Sequence, residues 1–181
     1  MNKIGIDPRT ELRQITRKDA LPIAAIVLEN YDHLHRWLPW VNEHYSVEVT
    51  KRFVGEVDKG FAEGTSFQSV ILRDGSIAGV LGFNTISEAN KAAEIGYWLS
   101  KEYEGTGLMT RSCRALIDFG FKEYSMNRIM IRCASENARS QAIPKRLGFT
   151  FEGILREAEK LHGKYVDLVV FSLLRSEWNE R

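Results

Sequence analysis

The feature that most constrains the fold is a short loop, containing two glycines, between an apolar strand and an amphipathic helix. The loop lies within residues 102–112 and follows an alternating run that ends at Leu99. After it, apolar residues return at the three-and-four spacing of one helix face. Gly105 and Gly107 let the backbone turn tightly, so free amide N–H groups gather at the positive end of that helix. A strand, loop and helix of this kind indicate a phosphate-binding site.

Two better-known glycine loops do not fit this stretch. The phosphate loop of nucleotide hydrolases ends in Gly-Lys-Ser or Gly-Lys-Thr, whereas no lysine follows Gly107 directly. The dinucleotide fingerprint needs a third glycine, where this chain has Thr110, and it lies in an early βαβ unit. The loop therefore favours neither a magnesium-dependent nucleotide hydrolase nor a hydride-transfer enzyme.

Length and charge predict one globular domain over residues 1–181. Of the 181 residues, 44% are hydrophobic and 27% charged, and the net charge is +1. That balance gives no general field for nucleic acid or an anionic membrane, so neither is an expected partner. Cys113 and Cys133 lie in apolar patterns that predict buried thiols. Since the start lacks an apolar signal core and no run is long enough to span a membrane, we expect a cytoplasmic protein.

Hydrophobic periodicity predicts a mixed α/β (α+β) fold with about seven strands and about four helices. Alternation predicts strands over residues 10–15, 66–72, 77–86, 92–100, 128–134, 151–158 and 165–174. The fifth follows a helical crossover and should run parallel to the fourth. Gly96 interrupts the fourth strand, where a glycine often marks a bulge or a ligand close to the backbone. Pro144, in the helix that Asn137 caps, removes the usual partner of the Ser140 carbonyl.

The element order, the glycine loop and the motif Asn-x-x-Ser-x-x-x-x-x-x-Leu-Gly-Phe, from Asn137 to Phe149, together resemble the GNAT superfamily of acetyl-CoA-dependent N-acetyltransferases. Further stretches are similar to its RimJ/RimL-type branch, the ribosomal-protein-serine or -alanine N-acetyltransferases: residues 36–40, 105–110, 137–140, 158–159 and 163–165. The resemblance implies an acyl-CoA N-acyltransferase fold in which the fourth and fifth predicted strands splay apart.

The resemblance also implies a set of residues that bind acetyl-CoA, the cosubstrate. The pantetheine arm would pair with the fourth predicted strand, whose backbone N–H is the expected oxyanion donor, and loop amides, with Arg111 or Arg139, would bind the pyrophosphate. Glu104 departs from the family pattern, which has Gln or Arg there, and we expect its carboxylate to point outward because it would repel phosphate. The candidate residues are Ile95, Gly96, Tyr97, Glu104, Gly105, Thr106, Gly107, Leu108, Met109, Thr110, Asn137 and Arg139.

Acetyl transfer also needs a base for the amine and a donor for the leaving sulfur. Ser140 is the candidate donor, through a hydrogen bond to the sulfur, and Glu159 is the candidate base from its match to the family pattern. Glu157 competes with it, because both would face the same side of an extended strand, and Glu94 and Asp167 are further options.

The acceptor side is expected at a connector in which Pro39 separates two tryptophans. The indoles of Trp37 and Trp40 either fill a gap between helices or form a wall of the substrate pocket, and Glu94 is a further candidate for binding the acceptor.

The resemblance implies transfer of acetyl to a primary amine by direct attack on the thioester. The expected acceptor is the N-terminal α-amino group of a protein, possibly ribosomal. Two alternatives stay open: a small amine such as a polyamine, an amino acid or an antibiotic, and a non-catalytic acyl-CoA sensor. The four histidines are not spaced as metal ligands, so we expect no metal. The antiparallel closing strands and exposed aromatics are compatible with a homodimer.

Overall fold

A mixed sheet forms the centre of the protein, whose computed structural model describes residues 3–179. The strands are β1 (Lys3–Asp7), β2 (Thr10–Gln14), β3 (Phe67–Arg73), β4 (Ser76–Ser87), β5 (Ala92–Leu99), β6 (Arg128–Ala134), β7 (Thr150–Leu161) and β8 (Lys164–Leu174). The helices are α1 (Ala20–Glu29), α2 (Tyr31–His35), α3 (Val47–Ala62), α4 (Leu108–Glu123), α5 (Ala138–Arg146) and α6 (Arg175–Asn179). Along the sheet the strand order is β1-β2-β3-β4-β5-β6-β8-β7.

Two hydrophobic cores lie on opposite faces of the sheet, and the side chains of β5 point alternately into one and the other. Ile95 and Tyr97 face the larger core, which also takes in the apolar side of α4 and Ile143 of α5. Trp98 faces the smaller core, formed with α1 and α3. Within residues 3–179, no helix combines the length and the apolar character needed to cross a membrane.

The two parallel strands at the middle of the sheet part after four residue pairs. β5 and β6 pair from Ala92 with Arg128 to Ile95 with Ile131, and each strand then continues without the other. Every other neighbouring pair is antiparallel. The predicted splay between the fourth and fifth strands is therefore confirmed, and it opens a wedge in the sheet beyond Ile95.

The structure adds elements that the sequence patterns did not predict. β1 is an eighth strand at the edge; none of its residues is fully buried, so no buried face marks it in the sequence, and its pairing with β2 is a tertiary contact. α2 is a separate helix because α1 ends at Asn30, whose side-chain amide donates to the Ile26 carbonyl. α6 follows β8 directly, and the Leu174 amide donates to the Glu177 carboxylate. The count of about seven strands and about four helices was therefore too low.

Candidate active site

A cleft of about 2180 Å³ opens where β5 and β6 part. The predicted site residues that line it are Trp37, Trp40, Glu94, Ile95, Gly96, Tyr97, Glu104, Gly105, Gly107, Leu108, Met109, Thr110, Asn137, Arg139, Ser140 and Glu159. Thr106 is not part of the lining, and its hydroxyl donates instead to the Tyr103 carbonyl at 2.7 Å.

The glycine loop presents backbone amides at the start of α4. Gly105 and Gly107 both have φ of +74°, a left-handed conformation that other residues adopt at a cost. The amides of Met109 and Thr110 belong to the first helical turn, where an α-helix offers no carbonyl partner. Arg111 donates to the Thr106 carbonyl at 3.1 Å. This loop suits the pyrophosphate of coenzyme A, because its amides and the helix dipole both favour an anion.

The Glu104 carboxylate does not turn outward, so that expectation was wrong. It forms an ion pair with Arg139, and its other oxygen lies 3.6 Å from Nε2 of His33. Its side chain is only 26% exposed and lines the cleft. The positive charge of Arg139, on α5, attracts the Glu104 carboxylate into the cleft. This pairing offsets the repulsion between Glu104 and a phosphate, but it also occupies Arg139.

The first turn of α5 holds Ser140 through its backbone. As predicted, Asn137 caps the helix: its side-chain oxygen accepts from the Ser140 amide at 3.1 Å. The helix continues through Pro144, which has no N–H for the Ser140 carbonyl. The Tyr97 hydroxyl donates to that carbonyl at 3.0 Å, and the Ser140 hydroxyl in turn donates to the Tyr97 oxygen at 3.1 Å.

The groups around Ser140 stay neutral at physiological pH. Burial raises the pKa of the Tyr97 phenol well above its ordinary value. Burial likewise raises the pKa of the Cys133 thiol to about 11, although a hydrogen bond with Ser140 opposes the shift. Immediately beside Ser140, the cleft therefore offers a neutral phenol and a neutral thiol.

The carboxylates lie on the other face of the sheet. Glu94 accepts two hydrogen bonds from Arg132, each of 2.9 Å, and its side chain is 14% exposed. Glu159 is half-buried nearby, and its pKa is raised chiefly by burial, with Arg132 lowering it and Glu94 raising it further. Glu159 therefore accepts a proton more readily than an exposed glutamate does.

The expected equivalence of Glu157 and Glu159 was wrong. Three residues, 156–158, lie opposite the single residue Asp167, because the β7–β8 register shifts between Leu155 and Glu159. Glu157 has φ of +48°, and its amide donates to the Asp167 carboxylate at 2.8 Å. A bulge thus breaks the alternation, and neither Glu157 nor Asp167 lines the cleft.

Aromatic side chains form one wall of the cleft. The ring of Trp40 lies 5.8 Å from that of Tyr45 and 6.5 Å from that of Trp98, measured between centroids. Trp40 is still 39% exposed, and Trp37 carries the Arg36 guanidinium over its ring at 4.9 Å. Both indoles line the cleft, so the pocket-wall alternative is favoured over simple gap filling.

The cleft joins the two faces of the sheet through the wedge. Tyr97, Cys133 and Ser140 lie on the side of the larger core, and Glu94, Arg132 and Glu159 on the opposite side. A thioester held in the wedge would lie between the Ser140 hydroxyl on one face and the Glu159 carboxylate on the other. This arrangement is suited to acyl transfer.

Sequence reasoning missed the Tyr97 phenol and Arg132 as site groups. Arg132 alternates with the buried Ile131 and Cys133, which was sufficient to place it on the face of Glu94 once the strands are paired. The meeting of Tyr97 with Ser140 has no comparable local signal. Within residues 3–179, no group of three or more His, Cys, Asp or Glu residues is arranged to hold a metal ion.

Known proteins share this fold and much of its sequence. A family model described as an acetyltransferase (GNAT) domain matches residues 9–150. The ribosomal-protein-serine acetyltransferase of Escherichia coli (strain K12) is 30% identical over 173 residues, which cover 93% of this chain and 94% of that protein.

Solved structures agree with this match. That of RimL, a ribosomal L7/L12 α-N-protein acetyltransferase in complex with coenzyme A, superposes with a TM-score of 0.93 at 31% identity, covering 97% of this chain and 99% of that one. The ribosomal-protein-S5-alanine acetyltransferase from Vibrio fischeri gives 0.89 at 26% identity, covering 98% and 99%.

Proposed function

Since this chain belongs to the acetyltransferase (GNAT) domain family, we propose that it acetylates the α-amino group of a protein's first residue, with a ribosomal protein as the acceptor. The enzyme is an acetyl-CoA-dependent N-acetyltransferase. The observation that carries the proposal is the wedge, which brings Ser140 and Glu159 to one cleft from opposite faces of the sheet.

The donor is held by backbone groups in this proposal. The amides of the glycine loop bind the pyrophosphate at the start of α4. Beyond Ile95, β5 has lost its partner on the β6 side, so its free edge pairs with the pantetheine arm as a short strand would. A backbone N–H near Gly96 donates to the carbonyl oxygen of the thioester as negative charge develops there.

Glu159 acts as the general base. An N-terminal amine arrives largely protonated at neutral pH, and it attacks the thioester only after losing that proton. Burial raises the pKa of Glu159, which brings it closer to the pKa of the amine and eases the transfer. Glu94 is less suited to this role because Arg132 engages both of its oxygens.

Ser140 supports the leaving group. A serine hydroxyl is a weak acid, so its role is a hydrogen bond to the sulfur as the thiolate forms. The start of α5 supplies a positive dipole end at the same place, which favours the developing negative charge.

The charges of the cleft favour an acceptor with one amine over a polyamine. A polyamine carries several positive charges and is best bound by several free carboxylates. Here Arg132 engages both oxygens of Glu94, the carboxylate expected to bind the acceptor, so Glu94 is not free for a second ammonium group. The aromatic wall at Trp40 offers apolar area for the residues that follow the amine.

A thiol-release assay with acetyl-CoA tests the proposal. Peptides that begin with serine or alanine, the same peptides with a blocked N-terminus, spermidine and free amino acids are compared, and the modified atom is located by mass spectrometry. We expect turnover only with the free N-terminal peptides. Preferential turnover of spermidine or an amino acid contradicts the acceptor assignment, and no thiol release with any amine supports the acyl-CoA sensor instead.

A further inference from the structure

We propose that Tyr97 is a positioning residue for Ser140, with its phenol orienting the hydroxyl that serves the leaving sulfur. The inference rests on the proposed acetyl transfer and deepens it. Tyr97 lies two residues beyond the last pair between β5 and β6, so its side chain lies at the wedge. Its ring packs against the larger core, and its hydroxyl reaches the first turn of α5.

The contact between Tyr97 and Ser140 has two points. The phenol donates to the Ser140 carbonyl at 3.0 Å, and the Ser140 hydroxyl donates to the phenol oxygen at 3.1 Å. The first bond fixes the backbone of residue 140, and the second fixes the rotation of its side chain. Because a serine side chain has one rotatable bond before its oxygen, these two contacts define where that oxygen lies.

Pro144 makes the first contact available. In an uninterrupted α-helix the amide of residue 144 donates to the carbonyl of residue 140. Proline has no such amide, and α5 continues through it, so the Ser140 carbonyl accepts from Tyr97 instead. Pro144 therefore leaves the Ser140 carbonyl without its helical donor, and Tyr97 supplies a donor in its place.

No covalent bond forms or breaks at Tyr97 in this proposal. The phenol keeps its proton and continues to donate a hydrogen bond to the Ser140 carbonyl. Burial keeps the phenol neutral, because it raises the pKa well above the ordinary value. As charge develops on the sulfur, the Ser140 O–H rotates from the phenol oxygen towards it. No bond to the serine proton breaks, and Tyr97 holds the backbone throughout.

The first test is Tyr97→Phe, which keeps the ring and removes the hydroxyl. We expect kcat to fall about tenfold while KM for acetyl-CoA stays within about twofold, because positioning of the leaving-group donor matters mainly in the transition state. In a Ser140→Ala background the same change should have no further effect. The matched control is Tyr124→Phe, which removes the hydroxyl of a core tyrosine outside the cleft.

The result that would overturn the inference is a Tyr97→Phe enzyme as active as wild type, or one that loses the same factor with and without Ser140. These outcomes are distinct from failure of the proposed function, in which the wild-type protein itself acetylates no peptide.

A thermal measurement tests the Pro144 argument without any activity. Pro144→Ala restores an amide that can serve the Ser140 carbonyl, so Tyr97→Phe should lower Tm less in the Pro144→Ala background than in wild type. An equal loss of Tm in both backgrounds means that the carbonyl does not depend on Tyr97, and it contradicts the inference.

Discussion

Glu94 and Arg132 face each other at the point where β5 and β6 stop pairing, and two hydrogen bonds of 2.9 Å join them. Glu94 is one residue before the last paired residue of β5, and Arg132 is one residue after the last of β6. The ion pair therefore ties the strands together at the closed end of the wedge. Burial chiefly raises the pKa of Glu159, and the two charges of this pair adjust it in opposite directions.

Neutralising each partner of this pair should shift the pH profile in opposite directions. Glu94 raises the pKa of Glu159 and Arg132 lowers it. Activity requires Glu159 to be deprotonated, so Glu94→Gln should move the acid limb of the kcat/KM profile to lower pH, and Arg132→Gln to higher pH. Shifts of the same sign in both variants would show that the limb does not report Glu159.

Removing the proposed base should affect turnover far more than binding. We expect Glu159→Gln to lower kcat by roughly ten- to a thousandfold, while acetyl-CoA binding measured by calorimetry stays nearly unchanged. Glu157→Gln is the matched control, because that exposed side chain lies on the β7 bulge outside the cleft. Full activity of Glu159→Gln, or an equal loss in both variants, would remove the assignment.

The Glu159 carboxylate should lower the stability of the folded protein at neutral pH. Its folded pKa is raised, so the folded protein holds the proton more tightly than the unfolded chain, and stability falls as pH rises through the window between the two pKa values. Glu159→Gln should therefore have a slightly higher Tm than wild type at pH 7, and the difference should vanish below the unfolded-state pKa of a glutamate. A lower Tm of Glu159→Gln at pH 7 would contradict the prediction that the buried charge of Glu159 destabilises the folded protein.

Local rules were sufficient for much of the site. The cap at Asn137 and the loss of the helical partner of the Ser140 carbonyl at Pro144 follow from the chemistry of single residues within one helix, and both are confirmed. The parallel pairing of β5 with β6 follows from the crossover between them, and it too is confirmed. These features depend on spacing along the chain, which the sequence contains directly.

The remaining features depend on contacts between distant residues. Tyr97 meets Ser140 across 43 residues, and Glu104 meets Arg139 across 35. Periodicity does not report which side chains meet over such separations. The bulge before Glu159 took Glu157 out of the cleft, because three residues of β7 lie opposite one residue of β8 there and the regular pairing is interrupted.

The ion pair between Glu104 and Arg139 should set the affinity for acetyl-CoA. Glu104→Gln removes a negative charge from the phosphate loop and frees Arg139, so KM for acetyl-CoA should fall several-fold. Arg139→Gln leaves Glu104 with less compensation, so KM should rise. Both effects should weaken in high salt, since the Arg139 side chain is mostly exposed. A rise of KM in Glu104→Gln would mean that the carboxylate orders the loop instead of repelling the donor.

Alanine substitutions at Gly105 and Gly64 can separate the effect of backbone strain on stability from the effect of the glycine loop on acetyl-CoA binding. Gly105 and Gly64 have φ of +74° and +69°, and an added Cβ at either would meet nothing within 4 Å. Alanine at each position should therefore cost a similar stability, about 1 kcal/mol, from the left-handed backbone alone. Gly64 lies just after α3 and outside the cleft, whereas Gly105 belongs to the proposed phosphate loop.

Acetyl-CoA affinity distinguishes these two variants. Gly105→Ala should weaken binding in calorimetry by about tenfold, because either the side chain or a relaxed backbone disturbs the converging amides. Gly64→Ala should bind acetyl-CoA as wild type does despite a comparable loss of Tm. Equal affinities in the two variants would show that the pyrophosphate does not depend on the conformation of this loop, and the donor would have to be placed elsewhere in the cleft.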